Sequence, residues 1–127
     1  MISFFYTYGG ILQKEEKLIF LKKLFTQPVR TITTTELENK MQDKSTVLLD
    51  VRTAQEYIGG HIKGARLFSL DRIHTYEGKK DKSIYLICHS GARSKRAAKI
   101  LKAKGYDAIS VKGGMLAWHG KIVGGNR

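Results

Sequence analysis

A chain of 127 residues, 42% of them apolar, can bury one hydrophobic core and is too short for two ordinary domains. Lysine and arginine outnumber aspartate and glutamate by 23 to 11, and the resulting +12 draws anions without choosing among oxyanion, acidic protein, lipid and nucleic acid. A single cysteine excludes an internal disulfide, and no Cys/His set has zinc spacing, so the expectation is a reducing, cytoplasmic setting with no metal site.

Residues 1–29 read as an apolar, amphipathic extension ahead of a domain at residues 30–127. Met1–Leu12 is apolar and aromatic, but lacks the basic flank of a signal peptide and is too short to span a bilayer, so export is not expected. From Leu12 to Phe25, Leu18, Leu21 and Phe25 recur at three- and four-residue steps among Lys14, Lys17, Lys22 and Lys23, which predicts an amphipathic helix ended by Pro28. Such a helix docks on its own domain, or makes a weak peripheral contact with anionic lipid.

Arg30–Thr33 is β-rich, and Thr35 with Glu38 has capping-box spacing for a helix running to about Gln42. Thr46–Val51 is an apolar run that breaks into charge at Asp50 and Arg52, as a strand buried on both faces does, and Ala54–Ile58 makes a helical turn. After the breakers Gly59, Gly60 and Gly64 come a strand at Arg66–Phe68, a short helix at Leu70–Tyr76 and a solvated loop at Glu77–Lys82. Ser83–Ile87 is a strand, Arg93–Lys104 a helix with Ala97, Ile100 and Leu101 on one face, and Ala108–Val111 a last strand before Gly113 and Gly114. The alternation predicts an α/β fold with a central, mostly parallel sheet of about five strands and helices on both faces.

The chemistry concentrates where the Ser83–Ile87 strand runs into Cys88, the loop His89-Ser90-Gly91-Ala92, and a helix opening with Arg93 and Ser94. In open α/β sheets this edge binds ligands, and the unpaired amides of a loop and first helical turn favour an anion. A thiol there drops from about 8.5 to between roughly 3.5 and 7.5. Arg93, Lys95 and Arg96 add positive charge, Gly91 permits a positive φ, and Ser90 and Ser94 can donate hydroxyl hydrogen bonds. A lone cysteine is commonly just a small buried hydrophobe, but this context favours a nucleophile. His89 has no further ligands at metal spacing and reads as a surface group.

Cys88 to Ser94, CHSGARS, resembles the active-site loop of rhodanese domains. Leu49-Asp50-Val51-Arg52 with Glu56-Tyr57, then Gly60-His61-Ile62-Lys63-Gly64-Ala65, then Gly113-Gly114-Met115-Leu116-Ala117-Trp118 resemble three further family elements in their proper order, over about Arg30 to Gly120. The resemblance implies a rhodanese-like fold and a sulfurtransferase: Cys88 takes a sulfane sulfur from a small anionic donor such as thiosulfate, holds it as a persulfide, and yields it to cyanide or to a thiol or protein acceptor. No metal or organic cofactor is implied. Asp50 and Arg52, at the same sheet edge as Cys88, are expected either to brace its loop through ion pairs or to form a surface pair of little worth. Glu56 and His61 match family positions but read as capping or packing residues, and Trp118 as a packing anchor. The sequence departs from the family with Ser69 where proline is common, and with His89 where Arg, Lys or Gln is common.

Three other readings compete. A cysteine phosphatase or arsenate reductase also holds a thiolate in an anion loop, but only four residues separate Cys88 from Arg93, a ring too short for a tetrahedral oxyanion. A sulfur-carrier or protein-interaction module without turnover would use the basic helix Arg93–Lys104 to dock an acidic partner. Specific nucleic-acid binding is not expected, because no aromatic residue is interleaved on that helix to stack on bases.

Overall fold

A computed structural model describes residues 13–26 and 28–126, with residues 23–26 described in backbone only. Five strands, β1 (Arg30–Ile32), β2 (Val47–Asp50), β4 (Arg66–Leu67), β5 (Ile84–Ile87) and β6 (Ala108–Val111), form one sheet in the order β1-β6-β5-β2-β4. Every pairing in it is parallel, with Asp50 opposite Ile87 and Leu86 opposite Ser110. Parallel strands need crossovers, and helices α2 (Thr34–Lys40), α3 (Ala54–Gly59) and α4 (Ala92–Ala103) supply three of them.

The two-residue period of a strand distributes the core. Leu49, Ile84, Leu86 and Ala108 turn to one face and pack with Ala97, Ala98 and Leu101 of α4 and Ile73 of a 3₁₀ turn, Leu70–Thr75. Leu48, Tyr85, Ile87 and Ile109 turn to the other, against Leu37 of α2 and Tyr57 of α3. The fold is thus the expected α/β sandwich, helices on both faces, with most boundaries within a residue or two of expectation.

Three expectations need correction. The capping box of α2 is Thr33 with Glu36, two residues earlier than Thr35 with Glu38: the Glu36 N–H donates to Thr33 Oγ1 at 3.1 Å and the Thr33 N–H to Glu36 Oε1 at 2.8 Å. Starting the helix there buries Leu37 completely, a gain of roughly 1.5–3 kcal/mol, and leaves Thr35 and Glu38 in solvent. Secondly, β3 (His61–Ile62) and β7 (Ile122–Val123) pair antiparallel in a separate ribbon that the sequence does not announce, because two-residue strands are too short to show a period. Thirdly, α1 (Lys14–Thr26) is helical and lies alongside α4, but its Leu18 and Leu21 do not dock: they are 51% and 47% exposed, while Phe20 is half-buried. The side chain of Phe25 and the segment Met1–Leu12 lie outside the described residues. Among the described residues, no helix is long and apolar enough to cross a membrane.

Candidate active site

Strand β5 is buried along its whole length and delivers Cys88 to the carboxyl edge of the sheet, where the residue is 1% exposed. The chain then doubles back so that the N–H groups of Gly91 and Ser94 donate to Cys88 Sγ at 3.0 and 3.3 Å. Gly91, the N-cap of α4, achieves this at φ 110°, a conformation that side-chain-bearing residues rarely adopt. The Ser94 hydroxyl lies 3.6 Å from Sγ and is oriented by Gly91 O at 3.1 Å and by the hydroxyl of Ser110 at 2.7 Å. Burial of the thiol opposes its ionisation, but the Ser94 hydroxyl and the amides of Ser94, Gly91 and Ser90 outweigh it, so Cys88 titrates below the ordinary thiol value.

The loop has a second wall. Gly114, at φ 59°, lies against the backbone of Cys88 and His89, so closely that an added Cβ would meet His89 O at 2.6 Å. The next two amides, of Met115 and Leu116, donate to Cys88 O at 2.8 Å and to His89 O at 3.0 Å. The loop's carbonyls are therefore drawn outward to the Gly113-Gly114 turn while its amides face the sulfur.

Arg93, in the first turn of α4, forms a fork-to-fork pair with Glu56: Nη1 to Oε1 at 2.7 Å and Nη2 to Oε2 at 2.9 Å. The guanidinium holds the Glu56 carboxyl down at about 2, helped by Thr53, which Glu56 also caps at the start of α3. Glu56 in turn raises Arg93, with a smaller contribution from the nearby Cys88. Arg93 thus lies near the sulfur but is engaged by a carboxylate, a partner its sequence neighbourhood does not reveal.

The family model of the rhodanese-like domain matches residues 33–121. The chain belongs to the rhodanese-like domain family. A Bacillus subtilis relative, the uncharacterized protein YqhL, is 41% identical over 93 residues, 71% of this chain and 74% of that protein. The crystal structure of a rhodanese-like domain protein from Staphylococcus aureus is 37% identical with a TM-score of 0.66, over 73% of this chain and 94% of that one. The thiosulfate sulfurtransferase of Pseudomonas aeruginosa has a TM-score of 0.68 at 21% identity, over 78% of this chain and 20% of that one, a likeness of fold.

Around the rhodanese-like loop, the remaining candidates separate by burial. His89, Ser90 and Ala92 are exposed on its outer side. Asp50 and Arg52 do not form the surface pair considered from sequence: both are buried, joined by Nε–Oδ1 and Nη2–Oδ2 contacts of 2.8 and 2.7 Å. Arg52 Nη2 also donates to Gly60 O at 2.8 Å, so this pair ties the end of β2 to the α3–β3 turn and makes no hydrogen bond with the Cys88 loop. Between the β2–α3 turn and Ser69–Asp71 opens a cleft of about 380 Å³ with Arg93 on its wall.

His61 is fully buried, stacked on the Tyr57 ring at 3.6 Å with Nδ1 2.6 Å from Tyr57 O, and Trp118 packs against the layer that contains Leu37. No group of three or more His, Cys, Asp or Glu able to hold a metal occurs among the described residues. Sequence reasoning misses two contributors, Ser110 and the Glu56 side of the Arg93 pair. The signal for Ser110 is a hydroxyl within a strand otherwise buried on both faces, where it must find a partner.

Proposed function

We propose that the chain is a rhodanese-type sulfurtransferase that moves a sulfane sulfur from a small anionic donor such as thiosulfate to cyanide or a thiol through Cys88. The observation that carries this reading is the pair of amides, of Gly91 and Ser94, that donate to Sγ at 3.0 and 3.3 Å. The Cys88 thiolate attacks the outer sulfur of thiosulfate; the donor's S–S bond breaks and sulfite leaves with its electron pair. The persulfide's terminal sulfur keeps a negative charge that further loop amides stabilise. Cyanide or a thiolate then attacks that sulfur, forming thiocyanate or a new persulfide and returning the Cys88 thiolate. Arg93, oriented by Glu56, presents positive charge at the approach without blocking the ring. Such a thiol works where thiols stay reduced, so the proposed place of action is the cytoplasm.

Mass spectrometry after exposure to thiosulfate tests the reading. The wild-type protein is expected to gain one sulfur atom that excess thiol removes, and Cys88→Ala to gain none. Absence of the added sulfur on a folded wild-type protein overturns the proposal. A persulfide that forms but is not passed to cyanide or thiols would mark a carrier without turnover.

A further inference from the structure

Helix α1 rests against α4 yet turns most of its described side chains to solvent. Between Lys14 and Lys22 only Phe20 is half-buried, while Leu18, Ile19 and Leu21 are 51%, 54% and 47% exposed. Steps of three and four residues put Lys14, Leu18, Leu21 and Lys22 on one face. Single exposed leucines are ordinary, but three large aliphatics within four residues, flanked by Lys17 and Lys22, are apolar surface that water does not favour. The helix beneath, α4, carries no acidic residue. Its Lys95, Arg96 and Lys99 are exposed, and none has an acidic partner among the described residues. Elsewhere cations do find acids, as in Arg30 with Asp107 and Lys104 with Glu77.

We propose that α1 and the exposed side of α4 form a docking surface for an anionic lipid bilayer. Leu18, Ile19 and Leu21 enter the boundary between headgroups and acyl chains, and Lys14, Lys17, Lys95, Arg96 and Lys99 meet the lipid phosphates. An anionic bilayer offers both media at once, an apolar boundary for the aliphatics and phosphates for the cations, whereas an acidic protein or a nucleic acid as occupant would leave the chain in solution with mixed vesicles. Glu15 and Glu16 sit in the first turn of α1, where they favour the helix dipole, and the surrounding lysines and α4 outnumber them.

Co-sedimentation of the full chain with lipid vesicles tests this. The protein is expected to pellet with an equal mixture of phosphatidylcholine and phosphatidylglycerol and to stay in solution with phosphatidylcholine alone. A Leu18→Ser/Ile19→Ser/Leu21→Ser variant is expected to lose roughly tenfold or more in partitioning, since each aliphatic contributes buried area. Lys95→Gln, Arg96→Gln and Lys99→Gln are each expected to cost about fivefold. Because all six side chains are exposed, unfolding curves of the variants are expected to match wild type, and sulfur loading of the aliphatic variant to stay unchanged without vesicles. Failure of the wild-type chain to pellet with mixed vesicles overturns the proposal. So does undiminished binding by the serine variant, which would show attraction by charge alone, as for an acidic macromolecule. Neither result bears on the persulfide of Cys88, which is read separately.

Discussion

Two arginine–carboxylate pairs, Asp50 with Arg52 and Glu56 with Arg93, differ in what surrounds them. Arg52 and Asp50 are two residues apart at the end of β2, with side chains 7% and 0% exposed, and their fork also grips the carbonyl of Gly60. Arg93 and Glu56 are 37 residues apart, join α4 to α3, and are each about a third exposed. The same chemistry therefore has two consequences. The covered pair cannot lose one member without stranding a charge in the interior, so it holds the fold. The wetter pair can be dissolved by water at small cost, so its value lies in where it keeps a guanidinium.

The largest expected effect comes from breaking the covered pair. Asp50→Ala leaves the Arg52 cation without its carboxylate in a buried site, and urea unfolding is expected to show a loss of about 3–5 kcal/mol. A loss below about 1 kcal/mol would mean that Arg52 escapes to solvent and that the contrast between the pairs is not one of burial.

Next comes the thiol itself. Ser94→Ala removes a hydroxyl 3.6 Å from Sγ that is itself held by Ser110, and leaves the amides in place. Because Cys88 lies below the ordinary thiol value, its thiolate dominates from that lowered value upward and is lost as pH falls through it. The iodoacetamide alkylation rate of wild type is expected to rise with pH through a midpoint below that of a free thiol. In Ser94→Ala that midpoint moves up, and sulfur loading at neutral pH slows by roughly tenfold, the worth of one charge-assisted hydrogen bond. An unchanged midpoint would assign the stabilisation to the amides alone.

Much of this was legible in the sequence, for reasons that vary by residue. The runs at residues 47–50 and 84–87 announce buried parallel strands because a sheet covered on both faces requires continuous apolar residues. Cys88, Gly91 and Ser94 are readable because strand, loop and helix start follow one another without interruption, and the structure does converge Gly91 and Ser94 on the sulfur. Partners far away in the chain were not legible. Glu56 reaches Arg93, Ser110 reaches Ser94, and Gly114 backs Cys88 only through the sheet order β6-β5-β2, which no local pattern encodes. The α2 cap went wrong for a related reason: Thr33 and Thr35 both sit three residues before a glutamate, and burial of Leu37 made the choice.

The smallest effect tests the wetter pair. Glu56→Gln keeps the cap on α3 nearly isosteric and removes only the charge that engages Arg93, so the stability loss at neutral pH is expected to stay below about 1 kcal/mol. The sign with pH follows from the carboxyl being held at about 2, against an ordinary value of 4.5. The Glu56 contribution is present in full above 4.5 and is lost as pH falls toward 2, so wild type and Glu56→Gln should converge over that window. Between pH 5 and 9 Glu56 stays ionised, leaving the pH dependence of sulfur loading to Cys88 in both proteins. If Arg93 matters for its position, the variant raises the KM for thiosulfate with little change in stability. If Glu56→Gln instead destabilises as much as Asp50→Ala, the exposed pair is also a structural brace, and the distinction drawn from burial fails.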